Sequence, residues 1–234
     1  MPKLGIRKLH ILLKEELKEN NIEVGRDLLF TIAKKHDLLI KKKRSYKRTT
    51  YSRHGLRTYS NILKTVTLDG PNQAWVSDIT YIRTCEGFVY LALITDRYSR
   101  KIVGYDVGDN LEAIGCIRAL KMAFRQLPKM HSLIHHSDRG SQYCCYDYIN
   151  MLRARNVKIS MTEENHCYEN SAAERVNGIL KHEFYLKETF KKKRQVRLIV
   201  KEVVNLYNSR RPHVALGYAT PEEVHSRSNS FCFA

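Results

Sequence analysis

Apolar residues recur along this chain with two different periods, and the change from one to the other marks its organisation. Leu9, Leu12, Leu13 and Leu17 repeat at helical spacing. After the turn-like Glu19-Asn20-Asn21, a second helical stripe runs through Leu28, Leu29, Ile32 and Ala33. Two short helices joined by a turn predict a helix-turn-helix unit or a plain helical hairpin; the sequence does not separate the two. KKKRSYKRTTYSRHGLRTYS, from Lys41 to Ser60, has no apolar period and reads as a basic arm. Pro71 marks a boundary.

Beyond it the spacing shortens. AWVSDITYIRT, GFVYLALITD and RKIVGYDV (100–107) are rich in β-branched and aromatic residues and predict three strands, the last two joined by a tight turn at Arg97-Tyr98-Ser99. NLEAIGCIRALKMAFRQL (110–127) carries a helical stripe that stops at Pro128. HSLIHHSD reads as a short buried strand, CCYDYINMLRARN as a helix and VKISMT (157–162) as a fifth strand. ENHCYENSAAERVNGILKHEF then passes from a polar loop into a helix, and a later helix carries Val200, Val203 and Val204. Strands first, then strands alternating with helices, predict an α/β domain: a mixed five-stranded sheet flanked by helices, preceded by a small helical region.

Charge narrows the function. The 234 residues carry 41 Lys and Arg against 24 Asp and Glu, a net of +17, which suits a protein that meets a polyanion. A solvated basic face is the plainer reading. Residues 1–70 hold 17 basic and 7 acidic side chains, so the first third is the more basic part. No apolar run approaches a membrane span, and the charged N-terminus is not a signal peptide, so no membrane role is expected. Six cysteines without a C-x-x-C pair suggest free thiols in a reducing cytoplasm and disfavour zinc.

Three carboxylates draw attention. Asp78 interrupts a strand, where aspartate is disfavoured, and so should face solvent, a partner or a metal. Asp138 sits where a buried strand gives way to a turn; it either caps that turn or binds a metal at the mouth of the sheet. On the late helix, Ala173, Val176, Ile179, Leu180 and Phe184 make an apolar stripe, with Glu174, Asn177, Gly178 and Lys181 on the opposite face. An ordinary salt-bridged surface would look the same. Gly178 costs a helix about 1 kcal/mol relative to Ala, which suggests close approach of a ligand or backbone. His135 and His136, adjacent on a strand, point oppositely; His135 should pack, while His136 orients the loop or touches DNA. Asp96 reads as a turn residue.

WVSDITYI, HHSDRGSQY and CYENSAAERVNGILKHEF together resemble the three signatures of integrase-type DDE transposases of bacterial insertion sequences. Between Asp138 and Glu174 lie 35 residues, the spacing that names that group. DRYSRKIVGY resembles the family's hairpin, YNSRRPHVALGYATPEEV (207–224) its C-terminal YN…RPH…TP segment, and GIRKLHILLKEEL its helix-turn-helix region. Glu169 departs mildly, standing where an aspartate is common, and Arg175 and Val176 replace small or aromatic residues.

The resemblance implies a ribonuclease-H-like core and a DNA transposase that cleaves and joins the ends of a mobile element. It implies that Asp78, Asp138 and Glu174 form a metal-binding catalytic triad for Mg²⁺ or Mn²⁺, with two ions serving hydrolysis and transesterification. Lys181 and Asn177 would hold the DNA end, with Lys41, Lys42, Lys43, Arg44, Arg210 and Arg211 as further DNA contacts. The expected partition is 1–40 helix-turn-helix-like, 41–70 basic linker, 71–190 integrase-type catalytic core and 191–234 C-terminal helix with the YN-RPH-TP segment. Expected partners are element and target DNA, further copies of the chain and an upstream-frame DNA-binding protein, in a cytoplasmic, nucleoid-associated setting. Two rivals share these features: a DNA-binding regulator without catalysis, and a structure-selective nuclease without strand transfer.

Overall fold

A computed structural model describes residues 3–40, 55–127, 132–163 and 167–227. The expected contacts Lys41, Lys42, Lys43 and Arg44 lie outside the described residues. Thirteen regular elements follow in order: α1 (Ile6–Glu19), α2 (Arg26–Lys35), β1 (Ala74–Thr84), β2 (Gly87–Asp96), β3 (Ile102–Gly108), α3 (Ala113–Phe124), β4 (Ile134–Ser137), α4 (Ser141–Cys144), α5 (Tyr146–Arg153), β5 (Lys158–Met161), α6 (Ser171–Glu183), α7 (Lys193–Arg210) and α8 (Pro221–Arg227). No helix among the described residues is long and apolar enough to cross a membrane.

The strands form one sheet in the order β3-β2-β1-β4-β5. β1 and β2 pair antiparallel from Trp75↔Asp96 to Thr84↔Gly87, closing through Gly87 at φ 102, where a side chain would be strained. β2 and β3 are also antiparallel, whereas β1, β4 and β5 run parallel, so the sheet is mixed as expected. Parallel pairing places the end of β4, and hence Asp138, level with Asp78 on the neighbouring β1: the last β1–β4 pair is Val76↔His136, two residues before each.

Alternation puts two apolar faces on the sheet, and helices cover both. Trp75, Ala92, Ile94 and Val103 pack under Leu120 and Phe124 of α3 and Tyr148 of α5. α3 lies so close to β3 that a Cβ on Gly104 would collide with the Ala119 carbonyl. On the other face, Ile82, Leu91 and Leu93 meet Val176, Ile179 and Leu180 of α6 and Val196, Val200 and Tyr207 of α7. Residues on both sides of position 190 therefore share one core. Leu63, within the expected linker, is also buried, against Ala74, Val76 and Ala173.

Two polar devices lock the late segment to the sheet. Asn208 imitates a strand edge, accepting from Ile102 N–H at 2.9 Å and donating to its carbonyl at 3.0 Å, while Tyr207 donates to the Arg100 carbonyl. A buried relay runs from Trp75 to Asp96. Indole Nε1–H donates to Asn72 Oδ1, so the amide nitrogen of Asn72 faces His225 Nε2 and donates to it. His225 Nδ1–H then donates to Ser99 Oγ at 2.9 Å, and Ser99 donates to Asp96 Oδ1 at 2.7 Å. Asp96 is thus a turn residue, as its sequence suggested, and a fully buried anchor as well.

Candidate active site

Asp78 and Asp138 open onto one cleft of about 200 Å³, lined also by Tyr81, Gly140, Gln142 and Tyr143. β1 supplies the first carboxylate from mid-strand and the turn after β4 supplies the second. Asp78 Oδ1 accepts from the N–H of Ile79 at 2.8 Å, and its Oδ2 accepts from Asn177 Nδ2 at 2.7 Å. Asp138 Oδ1 accepts from Gly140 N–H at 3.0 Å. Turn capping at Asp138 is therefore real. Gly140 has an ordinary negative φ, −63°. Its missing side chain matters for space, since a Cβ there would stand 3.0 Å from Asp138 Oδ1.

The helix α6 delivers Glu174, Asn177 and Lys181 toward this pair. Glu174 is exposed, but Asn177 is buried, contrary to the exposed face that its helical angle suggested. Its partner is Asp78, distant in sequence, which a helical wheel cannot show. Lys181 is half-buried, its ammonium 4.5 Å from the centre of the Tyr81 ring. Gly178 has no neighbour within 4 Å of where a Cβ would stand, so no backbone approach explains it.

The electrostatics tie the three acids together. Burial, then the charge of Asp138, pushes the Asp78 carboxyl up to about 7, with Glu174 adding a smaller like-charge contribution. Glu174 is itself raised, first by burial and then by Asp138. Lys181 is lowered by burial, partly offset by the attraction of Asp78. Repelling carboxylates of this kind are hard oxygen donors suited to a divalent cation, and the buried Asn177 Oδ1 has no hydrogen-bond partner. Among the described residues, however, no three His, Cys, Asp or Glu side chains lie close enough to hold one ion. Glu174 is thus within electrostatic reach of the aspartate pair without being drawn onto it.

Other expected residues fall elsewhere. His135 is buried, its Nε2 2.7 Å from Ser77 Oγ and 2.8 Å from Tyr148 OH; burial, then His136, pushes its pKa down to about 3. His136 is fully buried with Nδ1 2.8 Å from Ser160 Oγ, so it ties β4 to β5 and presents no surface to DNA. Arg210 is exposed, as a DNA contact requires. Arg211 is 1% exposed and its guanidinium is committed to Glu183, which corrects its assignment to the DNA-facing surface. Gln142 and Tyr143 line the cleft although they were not singled out; they lie within HHSDRGSQY, which was.

This mixed five-stranded sheet with its flanking helices has the architecture of the retroviral integrase catalytic cores. The magnesium-bound catalytic core of HTLV-2 integrase superposes with a TM-score of 0.52 at 17% identity, over 67% of this chain and 98% of that one. A chain of the simian T-cell lymphotropic virus intasome, in complex with PP2A regulatory subunit B56 gamma, gives 0.57 at 16% identity over 95% of this chain and 74% of its own. Residues 69–167 and 155–221 each match a family model described as an integrase core domain.

Closer relatives come from insertion sequences. The 31 kDa protein of insertion element IS600 from Shigella sonnei is 39% identical over 230 residues, 94% of this chain and 85% of the relative. Transposase InsF of IS3A from Escherichia coli K12 is 32% identical over 218 residues, 92% of this chain and 76% of the relative. The chain belongs to the integrase-core family of insertion-sequence transposases.

Proposed function

We propose that this protein is a metal-dependent DNA transposase that cleaves the ends of a mobile element and joins them to target DNA. The observation that carries the reading is the shared cleft of Asp78, on β1, and Asp138, just after the neighbouring parallel β4, with Glu174 adding its own like charge from α6. Family membership and a net charge of +17 agree with a DNA substrate.

Asp78, Asp138 and Glu174 would hold two Mg²⁺ or Mn²⁺ ions. When bound, the ions supply an activated oxygen nucleophile and stabilise the departing oxygen of a phosphodiester. The chain's own residues prepare that site. Asn177 fixes the Asp78 carboxylate in one orientation, and the Gly140 N–H does the same for Asp138. Glu174, exposed on its helix, would complete the donor set for such a cation. Lys181, one turn beyond Asn177, offers a cation for a phosphate oxygen beside the scissile bond. Arg210, and the basic stretch containing Lys41, Lys42, Lys43 and Arg44, supply further backbone contacts.

Two element ends must meet for joining, so the working form is a homo-oligomer, aided by an upstream-frame DNA-binding protein and acting at the nucleoid. We retain the division into a helix-turn-helix-like region (1–40), linker (41–70), catalytic core (71–190) and C-terminal segment (191–234) as the functional partition. The test uses labelled duplexes copied from the terminal repeats, with Mg²⁺ present. Wild type is expected to nick and join them, while Glu174→Gln binds the ends and joins none. Equal joining by the variant would remove Glu174 from the triad, and binding without cutting by both would favour a regulator.

A further inference from the structure

A second concavity of about 470 Å³ lies against a different face of α6 from the one that carries Glu174, Asn177 and Lys181. Arg175 follows Glu174 and is rotated about 100° from it around the helix, and it lines this second cleft, which Glu174 does not. Arg97 and Arg100, from the turn between β2 and β3, form the facing wall. Lys8 and Arg211 also line this space, but both are bound to Glu183. Among the described residues Arg97, Arg100 and Arg175 have no acidic side chain within ion-pair distance. The nearby Asp96 carboxylate is turned inward, accepting from Asn72 N–H and from Ser99. A neighbouring cavity of about 770 Å³ shares Arg97 and Arg100 and adds Arg227; its acid, Asp69, is engaged by the Gln73 side-chain amide.

Three guanidinium groups are thus gathered at a concave surface without an ion-pair partner among the described residues. The arrangement is costly in two ways. Like charges are held together, so that Arg100 is lowered by burial and then by Arg97. Arg100 also occupies the left-handed region at φ 65°, roughly 1–2 kcal/mol worse than an ordinary conformation for any residue but glycine. Asp96 offsets only part of the repulsion. A ligand with several negative oxygens would offset the rest, and the planar fork of arginine matches phosphate best.

We infer that this cleft is a second DNA-backbone site, in which Arg97, Arg100 and Arg175 bind phosphodiester groups away from the scissile position. The inference rests on the transposase reading and adds where the substrate runs. Arg97 N–H donates to the Ala74 carbonyl at 2.8 Å, four residues before Asp78 on β1. At a strand rise of about 3.3 Å per residue, the two sites stand roughly 13 Å apart. Duplex DNA rises about 3.4 Å per nucleotide, so the cleft meets backbone about four nucleotides from the phosphate at Asp78. α6 touches both sites, through Asn177 bonded to Asp78 and Arg175 lining the second cleft.

The test measures affinity for an element-end duplex against salt concentration, by fluorescence anisotropy. Each lost phosphate contact lowers the slope of log K against log salt by about 0.9. Arg175→Gln, at an exposed helical position, is expected to lower the slope by about 1, and the triple variant with Arg97→Gln and Arg100→Gln by about 2 to 3. Lys201→Gln, which removes an equal charge from the exposed face of α7, should leave it unchanged. Shortening the duplex stepwise from either end should cost wild type a distinct loss of affinity about four nucleotides from the cut, and cost the triple variant none there. If Arg175→Gln behaves like Lys201→Gln, or the truncation step persists in the triple variant, the cleft is not a DNA site. Failure of the wild type to bind any end duplex would instead overturn the transposase reading itself.

Discussion

Arg211 grips Glu183 with two parallel hydrogen bonds, Nε to Oε2 at 2.7 Å and Nη2 to Oε1 at 2.8 Å. Lys8 Nζ adds a third at 3.0 Å. Glu183 closes α6, Arg211 follows α7 and Lys8 belongs to α1. One carboxylate therefore joins the N-terminal helices, the helix bearing Glu174 and the late YN-RPH segment.

Breaking that junction leaves a buried charge without its partner. Arg211→Ala is expected to lower stability by about 3–5 kcal/mol in urea unfolding. Burial alone would raise the Glu183 pKa, but the hydrogen bonds and charge of Arg211, with those of Lys8, hold it below the ordinary value. A depressed folded pKa means this stabilisation is complete above the unfolded value near 4.3 and is lost as pH falls through the folded one. The gap between wild type and Arg211→Ala should therefore narrow on acidification below about pH 4. A constant gap would show that Glu183 is not the group responsible.

Asp78 has the opposite sign. Its carboxyl titrates near 3.9 unfolded and at about 7 in the fold, so the folded protein binds that proton more tightly. Stability of the metal-free protein should fall between those pH values and be lowest above about 7. Asp78→Asn removes the penalty: its thermal midpoint should exceed that of wild type at pH 8 and converge with it near pH 4. Joining activity should vanish in the same variant.

Asn177 acts through Asp78. Asn177→Ala frees the Asp78 carboxylate to rotate, and loss of such an orienting partner typically weakens metal affinity about 10–100-fold. Titration with Mn²⁺ would read this directly. A fall in melting temperature with unchanged Mn²⁺ affinity would reduce Asn177 to a packing role.

Gly104 tests the fold without touching the site. Gly104→Ala drives a methyl group into the Ala119 carbonyl and should cost about 1–3 kcal/mol. Joining per folded molecule should be unchanged, which separates it from the site variants.

The strands were legible because β-branched and aromatic enrichment over Ala74–Thr84 and Gly87–Asp96 is a local signal. Asp78 was legible for the same reason inverted: a carboxylate in a strand needs an explanation. Asn177 and Arg211 are buried where helical angle, for the one, and charge, for the other, predict exposure. Each is buried against one partner, Asp78 or Glu183, brought near only by the packing of α6 against the sheet and α7. The unpaired state of Arg97, Arg100 and Arg175 is likewise invisible to composition, since the chain holds 24 acids that sequence alone cannot place.

The relay from Trp75 through Asn72, His225 and Ser99 to Asp96 runs in one direction, because the indole can only donate and the carboxylate can only accept. Its middle member comes from α8, about 150 residues after the strand where the relay begins. The sheet that bears Asp78 and Asp138 therefore depends for its buried wiring on a residue far along the chain. A chain lacking α8 would leave Ser99 and Asn72 without their shared His225 partner, beneath the strand that carries Asp78.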